Sequence, residues 1–134
     1  MRETKTRLYV TAFLASVLTV GAMLPAPEAR AEFVEILWDG DQRFERALEV
    51  LPGKFAEVCG KMSRGQAIAW TFEANRAVDF NVHYHEGARI VFPAKHEAAT
   101  KAAGRLMVEL DQDFCWMWTN KSVDKVRVSL TLQR

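Results

Sequence analysis

This chain is poor in the residues that catalysis, redox chemistry and membrane insertion require. It holds two cysteines, three histidines and four prolines in 134 residues. The cysteines, Cys59 and Cys115, stand far apart, so no C-x-x-C redox pair exists. No G-x-S-x-G or H-E-x-x-H stretch occurs, and no glycine loop of the phosphate-cradling kind. A hydrolytic triad needs a nucleophile beside a base and an orienting acid, and no such set is marked here. Asp111 and Asp113 form the nearest carboxylate pair, but they lie in a solvated D-Q-D turn. Charge of one sign is lacking too. Eighteen basic and 17 acidic residues leave no basic stripe for a nucleic acid. After Leu24 no long apolar run follows, so the rest of the chain carries no transmembrane segment.

What is present begins with a tripartite export signal. Arg2, Lys5 and Arg7 form a basic start, and Leu8 to Leu24 form a nearly uncharged run. Pro25, Pro27 and the small-x-small triplet Ala29-Arg30-Ala31 follow. At about 1.5 Å per residue this run reaches roughly 25 Å, short of a ~30 Å hydrocarbon core. The expectation is therefore a cleavable signal peptide over 1–31, cut after Ala31, and a periplasmic or secreted chain over 32–134. No cysteine follows the run to take a lipid. Removal of Arg2, Lys5, Arg7, Arg30, Glu3 and Glu28 leaves 14 basic and 15 acidic groups, a formal charge of −1. In an oxidising compartment the even pair Cys59 and Cys115 predicts one disulfide, the alternative being two separate buried thiols.

The mature part alternates with period two. Phe44, Leu48 and Val50 share a strand face that Pro52-Gly53 ends, and Phe55 to Cys59 makes a short strand stopped by Gly60. Ile68, Trp70 and Phe72 line the next strand, and Ala74-Asn75-Arg76 is expected to turn into Val78 to His85. In that segment Phe80, Val82 and Tyr84 point one way while Asp79, Asn81, His83 and His85 point the other. Glu86-Gly87 closes it, and Arg89 to Phe92 reads as a brief return strand. Pro93 to Gly104, rich in Ala, Lys and Glu, reads as a loop or one to two turns of helix. Alternation resumes at Leu106, Val108 and Leu110, again over Phe114 to Thr119, and last over Lys125 to Leu132. The fold class is thus all-β, an antiparallel β-sandwich of seven or eight short strands in one domain.

The order of motifs resembles that of GOLD domains, the β-sandwiches of early-secretory cargo receptors and some lipid-transfer proteins. The matching pieces are Gly65-Gln66-Ala67-Ile68-Ala69-Trp70-Thr71-Phe72, Val78-Asp79-Phe80-Asn81-Val82, and the corner Thr119-Asn120-Lys121-Ser122 followed by Lys125 to Leu132. Together they span about residues 45–132. The resemblance implies a jelly-roll/GOLD-like module for protein–protein or lipid contact without catalysis. It also implies a bridge between Cys59 and Cys115, which fall where the receptors place theirs. The chain stops at Arg134 with no coiled coil or membrane span after the sandwich, so vesicle sorting does not carry over.

His83-x-His85 is the sharpest polar feature. Its ordinary reading is a surface pair beside Asn81 and Glu86, and these four residues make the expected binding face. The alternative is a small periplasmic metal-binding protein, with His83 and His85 on one Zn²⁺ or Cu²⁺ ion and Glu86, His96, Met107 or Met117 as further ligands. Trp116 and Trp118 read as core packing against Trp70 and Phe80 rather than as a platform for lipid, sugar or peptide. Asn120 and Ser122 read as caps of a corner, and their match to a glycosylation triplet as accidental. The expected role is an exported, non-enzymatic binding or accessory module, its site being either that polar face or an open strand edge.

Overall fold

The computed structural model describes residues 31–134, so the expected signal peptide, Ala31 apart, lies outside the described residues. Seven strands follow one another: β1 Glu32–Glu35, β2 Arg43–Val50, β3 Phe55–Met62, β4 Ala67–Glu86, β5 Arg89–Met107, β6 Gln112–Thr119 and β7 Val126–Gln133. They hydrogen-bond in the order β1-β3-β6-β4-β7-β2, with β5 on the other side of β4. All pairs are antiparallel except β1 with β3, which run parallel from Glu32↔Ala56 to Glu35↔Cys59.

A strand has two edges, and β4 has three partners. It keeps β5 along one edge and divides the other. Ala69 to Ala74 pair with β7, and Asp79 to His83 pair with β6. The exchange falls at residues 74–77, where β4 gains extra residues between Glu73↔Lys101 and Val78↔Ala99. The expected turn at Ala74-Asn75-Arg76 is therefore a bulged corner, and the chain runs on instead of reversing. Asn75 helps to hold it, since the Arg127 backbone N–H donates to Asn75 Oδ1 at 2.8 Å. The corner divides the sheet into two layers that share β4 and β5. One is β2, β7 and the first half of β4; the other is β1, β3, β6 and the second half of β4.

Aromatic side chains from both layers meet between them. Phe72 and Phe80 have ring centroids 4.6 Å apart, Trp70 and Phe80 4.9 Å, and Phe80 and Trp118 5.4 Å. Phe114, Trp116 and Trp118 are buried on one face of β6, as their alternation predicts. Val126, Val128, Leu130 and Leu132 do the same on β7. Trp116 and Trp118 belong to the core, so neither offers a binding platform.

Two other expectations are corrected by pairing. Gly60 does not end its strand, because β3 continues to Met62. A Cβ at Gly60 would stand 2.9 Å from Ile36 Cβ, so the bare backbone leaves room for Ile36 to cover it. Pro93 to Gly104 is neither loop nor helix but part of β5. Its Ala94, Ala99 and Ala102 are small residues packed against the core under large β4 side chains, so tertiary pairing overrides their helical preference. The hairpin between β4 and β5 closes through Gly87 at φ +58°, a left-handed conformation that glycine adopts without strain.

Candidate functional site

The polar face of β4 lies on the outside of the second layer. Register places His83 opposite Cys115 of β6, and Cys115 opposite Cys59 of β3. Cys59 and Cys115 form the disulfide, with Cα atoms 4.1 Å apart. Period two puts Phe55, Glu57 and Cys59 on the same outward side of β3, and Cys115, Met117 and Thr119 on that of β6. The result is a hollow of about 450 Å³ floored by the disulfide and Gly60, with Phe33, Glu35, Glu57, His83, His85 and Asp113 around it.

Asn81, His83 and His85 share this face as expected, but the face is less exposed than a surface pair requires. His83 is only 5% exposed. Its Nδ1 is 2.8 Å from Asn81 Oδ1; an amide oxygen only accepts, so Nδ1 carries the proton and Nε2 keeps its lone pair. Nε2 lies 3.9 Å from Glu57 Oε2, too far for a hydrogen bond. The rings of His83 and His85 are 5.3 Å apart, edge to face. Burial lowers the His83 pKa and the neighbouring His85 lowers it further. Burial also raises the Glu57 carboxyl, an effect that His85 partly offsets. His83 is thus neutral at pH 7, and its approach to Glu57 is no ordinary ion pair.

Glu86 goes elsewhere. It follows the opposite parity, and its carboxylate pairs with Arg89 across the hairpin. His96 sits against Trp70 and Phe80, each at a centroid distance of 6.0 Å, away from the two other histidines. Met107 is exposed at the end of β5. Glu57 is the member of the cluster that the sequence did not disclose. It comes from a strand two places across the sheet, and the only signal for it was its parity with Cys59. Glu57, His83 and Cys115 bring donor atoms within 4.8 Å of one another. The Cys115 sulfur is committed to Cys59, so it supplies no thiolate.

Around the hollow the face turns apolar. Phe33 is 65% exposed, Phe55 40% and Phe92 39%. Phe92 packs 6.0 Å from His83 and carries Lys95 over its ring at 3.8 Å. Beside it Asp79 pairs with Lys121 and accepts the Ala98 N–H at 3.0 Å. Among the described residues β1, β2 and β5 each leave one edge unpaired, and along β5 Pro93, Lys95, Lys101 and Arg105 are residues that discourage strand addition.

No family model matches the chain, and no curated protein matches it in sequence. Solved structures do. The chain is similar to PliG of Aeromonas hydrophila, a periplasmic inhibitor of g-type lysozyme, with a TM-score of 0.56 at 11% identity over 78% of this chain and 96% of that one. It is similar to Salmonella Typhimurium PliG, also a periplasmic inhibitor of g-type lysozyme, with a TM-score of 0.52 at 8% identity over 77% and 97%. The pre-peptidase C-terminal domain of a collagenase from Bacillus anthracis gives 0.54 at 7% identity over 78% and 95%. These likenesses show a shared β fold, built in each case over nearly the whole of the matched domain.

Proposed function

We propose that the chain is an exported, non-catalytic module that binds a protein partner through the outer face carrying Asn81, His83 and His85. The observation behind this reading is the exposure of Phe33, Phe55 and Phe92 on that one face, around a polar hollow. Exposed aromatics beside polar groups are the make-up of an interface core, where they supply area while the polar groups set register. Export draws support from the disulfide and from the signal-like start, with cleavage after Ala31 leaving β1 at the new amino end. A protein partner draws support from the inhibitors of similar fold, and the GOLD-like motifs imply the same class of role.

The test immobilises the mature chain and identifies what it retains from an envelope extract, with inhibition of a purified g-type lysozyme as a separate arm. A defined partner is expected with the wild type and is lost with Phe33→Ala/Phe92→Ala. An Arg127→Ala control, on the other layer, retains it. Equal retention by all three proteins, or no retained protein and no inhibition, overturns the reading.

A further inference from the structure

The hollow over the disulfide carries a second chemistry, independent of any protein partner. We propose that Glu57, His83 and His85 form a binding site for a divalent first-row transition ion, Zn²⁺ or Cu²⁺, with Asn81 as the positioning residue.

Geometry comes first. A tetrahedral ion with ligands at about 2.0–2.1 Å holds its donor atoms about 3.3 Å apart. His83 Nε2 and Glu57 Oε2 already stand 3.9 Å apart, so a few tenths of an ångström close the first edge. His85 projects from the same strand face two residues on, with its ring 5.3 Å from that of His83. Its side chain is exposed and swings without disturbing the core. Asn81 does for His83 what the second shell does for metal-bound imidazoles: its Oδ1 accepts the hydrogen bond from Nδ1–H, fixes the ring and leaves Nε2 for the ion.

Electrostatics agree. Glu35, Glu57 and Asp113 line the hollow, and among the described residues no Lys or Arg does. The His83 side chain is 7% exposed and that of Glu57 24%, so both donors are largely withdrawn from water and an ion between them would take the place of solvent. Two imidazoles and one carboxylate are borderline donors, suited to Zn²⁺ and Cu²⁺ rather than to Ca²⁺ or Mg²⁺. Three protein ligands leave a fourth position facing solvent.

The test is calorimetric titration of the mature, oxidised chain with ZnCl₂ and, separately, CuCl₂ in a non-coordinating buffer. One ion per chain is expected at micromolar affinity or tighter, with Cu²⁺ bound more strongly. His85→Ala and Glu57→Gln change side chains outside the core and should each weaken binding at least tenfold, with the fold checked by circular dichroism. Asn81→Leu should weaken it about 10–100-fold without removing a ligand. Cu²⁺ electron paramagnetic resonance should show two coupled imidazole nitrogens in the wild type and one in His85→Ala. No saturable heat with either ion, or affinities unchanged in His85→Ala and Glu57→Gln, overturns the site. Neither outcome bears on partner capture, which uses no added metal.

Discussion

The side-chain amide of Asn120 donates to the backbone carbonyl of Val50 at 2.9 Å, tying the end of β6 to the end of β2 across seventy residues. Its second amide hydrogen goes to the Asp124 carbonyl at 2.7 Å. Its Oδ1 accepts from the Ser122 backbone N–H at 2.9 Å and from Ser122 Oγ at 2.7 Å. Every hydrogen-bonding position of the amide is used, and the residue is wholly buried. Its own backbone N–H and carbonyl bind the Gly53–Lys54 turn.

Asn120→Ala should therefore cost about 2 kcal/mol or more, because it strands buried polar groups rather than removing a matched pair. Asn120→Asp keeps the acceptor but loses both donors and faces a carboxylate toward two carbonyls. Its buried carboxyl should rise in pKa, so the variant should be less stable at pH 7 than at pH 4 relative to wild type. Urea unfolding at the two pH values checks both. An Ala variant within 0.5 kcal/mol of wild type would show that the corner holds without this amide.

Gly104 carries a different constraint. It pairs with Trp70, and a Cβ built there would lie 2.4 Å from Trp70 Cζ2. The indole thus lies flat against bare backbone. Gly104 has no positive φ, so alanine fits the backbone and fails only on contact. Gly104→Ala should cost about 1–3 kcal/mol through displacement of the ring. Denaturant unfolding measures the cost, and a shift in tryptophan emission reports the movement. Restored stability in Gly104→Ala/Trp70→Leu, relative to Trp70→Leu alone, would confirm that the clash is the cause.

How much of this was readable beforehand depends on where each side chain finds its partner. The last two strands were legible because Phe114, Trp116 and Trp118, and Val126 to Leu132, keep strict alternation with one face in the core. The Asn120 corner was legible because its bonds to Ser122 are local. Of β5, Arg89 to Phe92 was legible but Pro93 to Gly104 was not, because its core-facing places hold Ala94, Ala99 and Ala102, whose smallness makes sense only beside Val82, Val78 and Phe72 of another strand. Nor was the bulged corner of β4, since Ala74-Asn75-Arg76 carries turn chemistry whether a chain reverses or bends. His83 and His85 showed their shared face through period two. The burial of His83 did not show, because β3 and β6 supply it. Glu57 joined the histidines only when pairing brought β3 beside β6.

Asp79 links the face to acid stability. The hydrogen bond from Lys121, then that from the Ala98 N–H, lower its pKa below the ordinary 3.8. A carboxyl depressed on folding contributes stability that is fully present above its unfolded pKa and lost as pH falls through the folded one. The contribution should thus be intact at pH 7 and 5 and fade below about pH 3.8. Asp79→Asn should lower stability at pH 7, and the gap to wild type should narrow as pH falls below 3.8 and through the folded-state pKa. A gap independent of pH would place the effect in packing or in the Ala98 hydrogen bond alone.

The disulfide can be separated from the sheet that surrounds it. Cys59 and Cys115 are directly opposed in a register that runs from Phe55↔Thr119 to Met62↔Gln112, so strand pairing persists without the bond. What is lost is the constraint on the unfolded chain. A closed loop of 56 residues is worth about 4 kcal/mol in the chain-entropy model. Cys59→Ala/Cys115→Ala should therefore lower the unfolding free energy by up to that amount while leaving the far-ultraviolet dichroism of the native state unchanged. The same variant removes the sulfur floor beneath His83, so it also separates rigidity from ligand supply. If Glu57, His83 and His85 hold the ion alone, metal stoichiometry should survive and affinity should fall only as far as the floor loosens. A loss below 1 kcal/mol would mean that the unfolded chain already keeps β3 and β6 close, and that the link does little beyond recording their proximity.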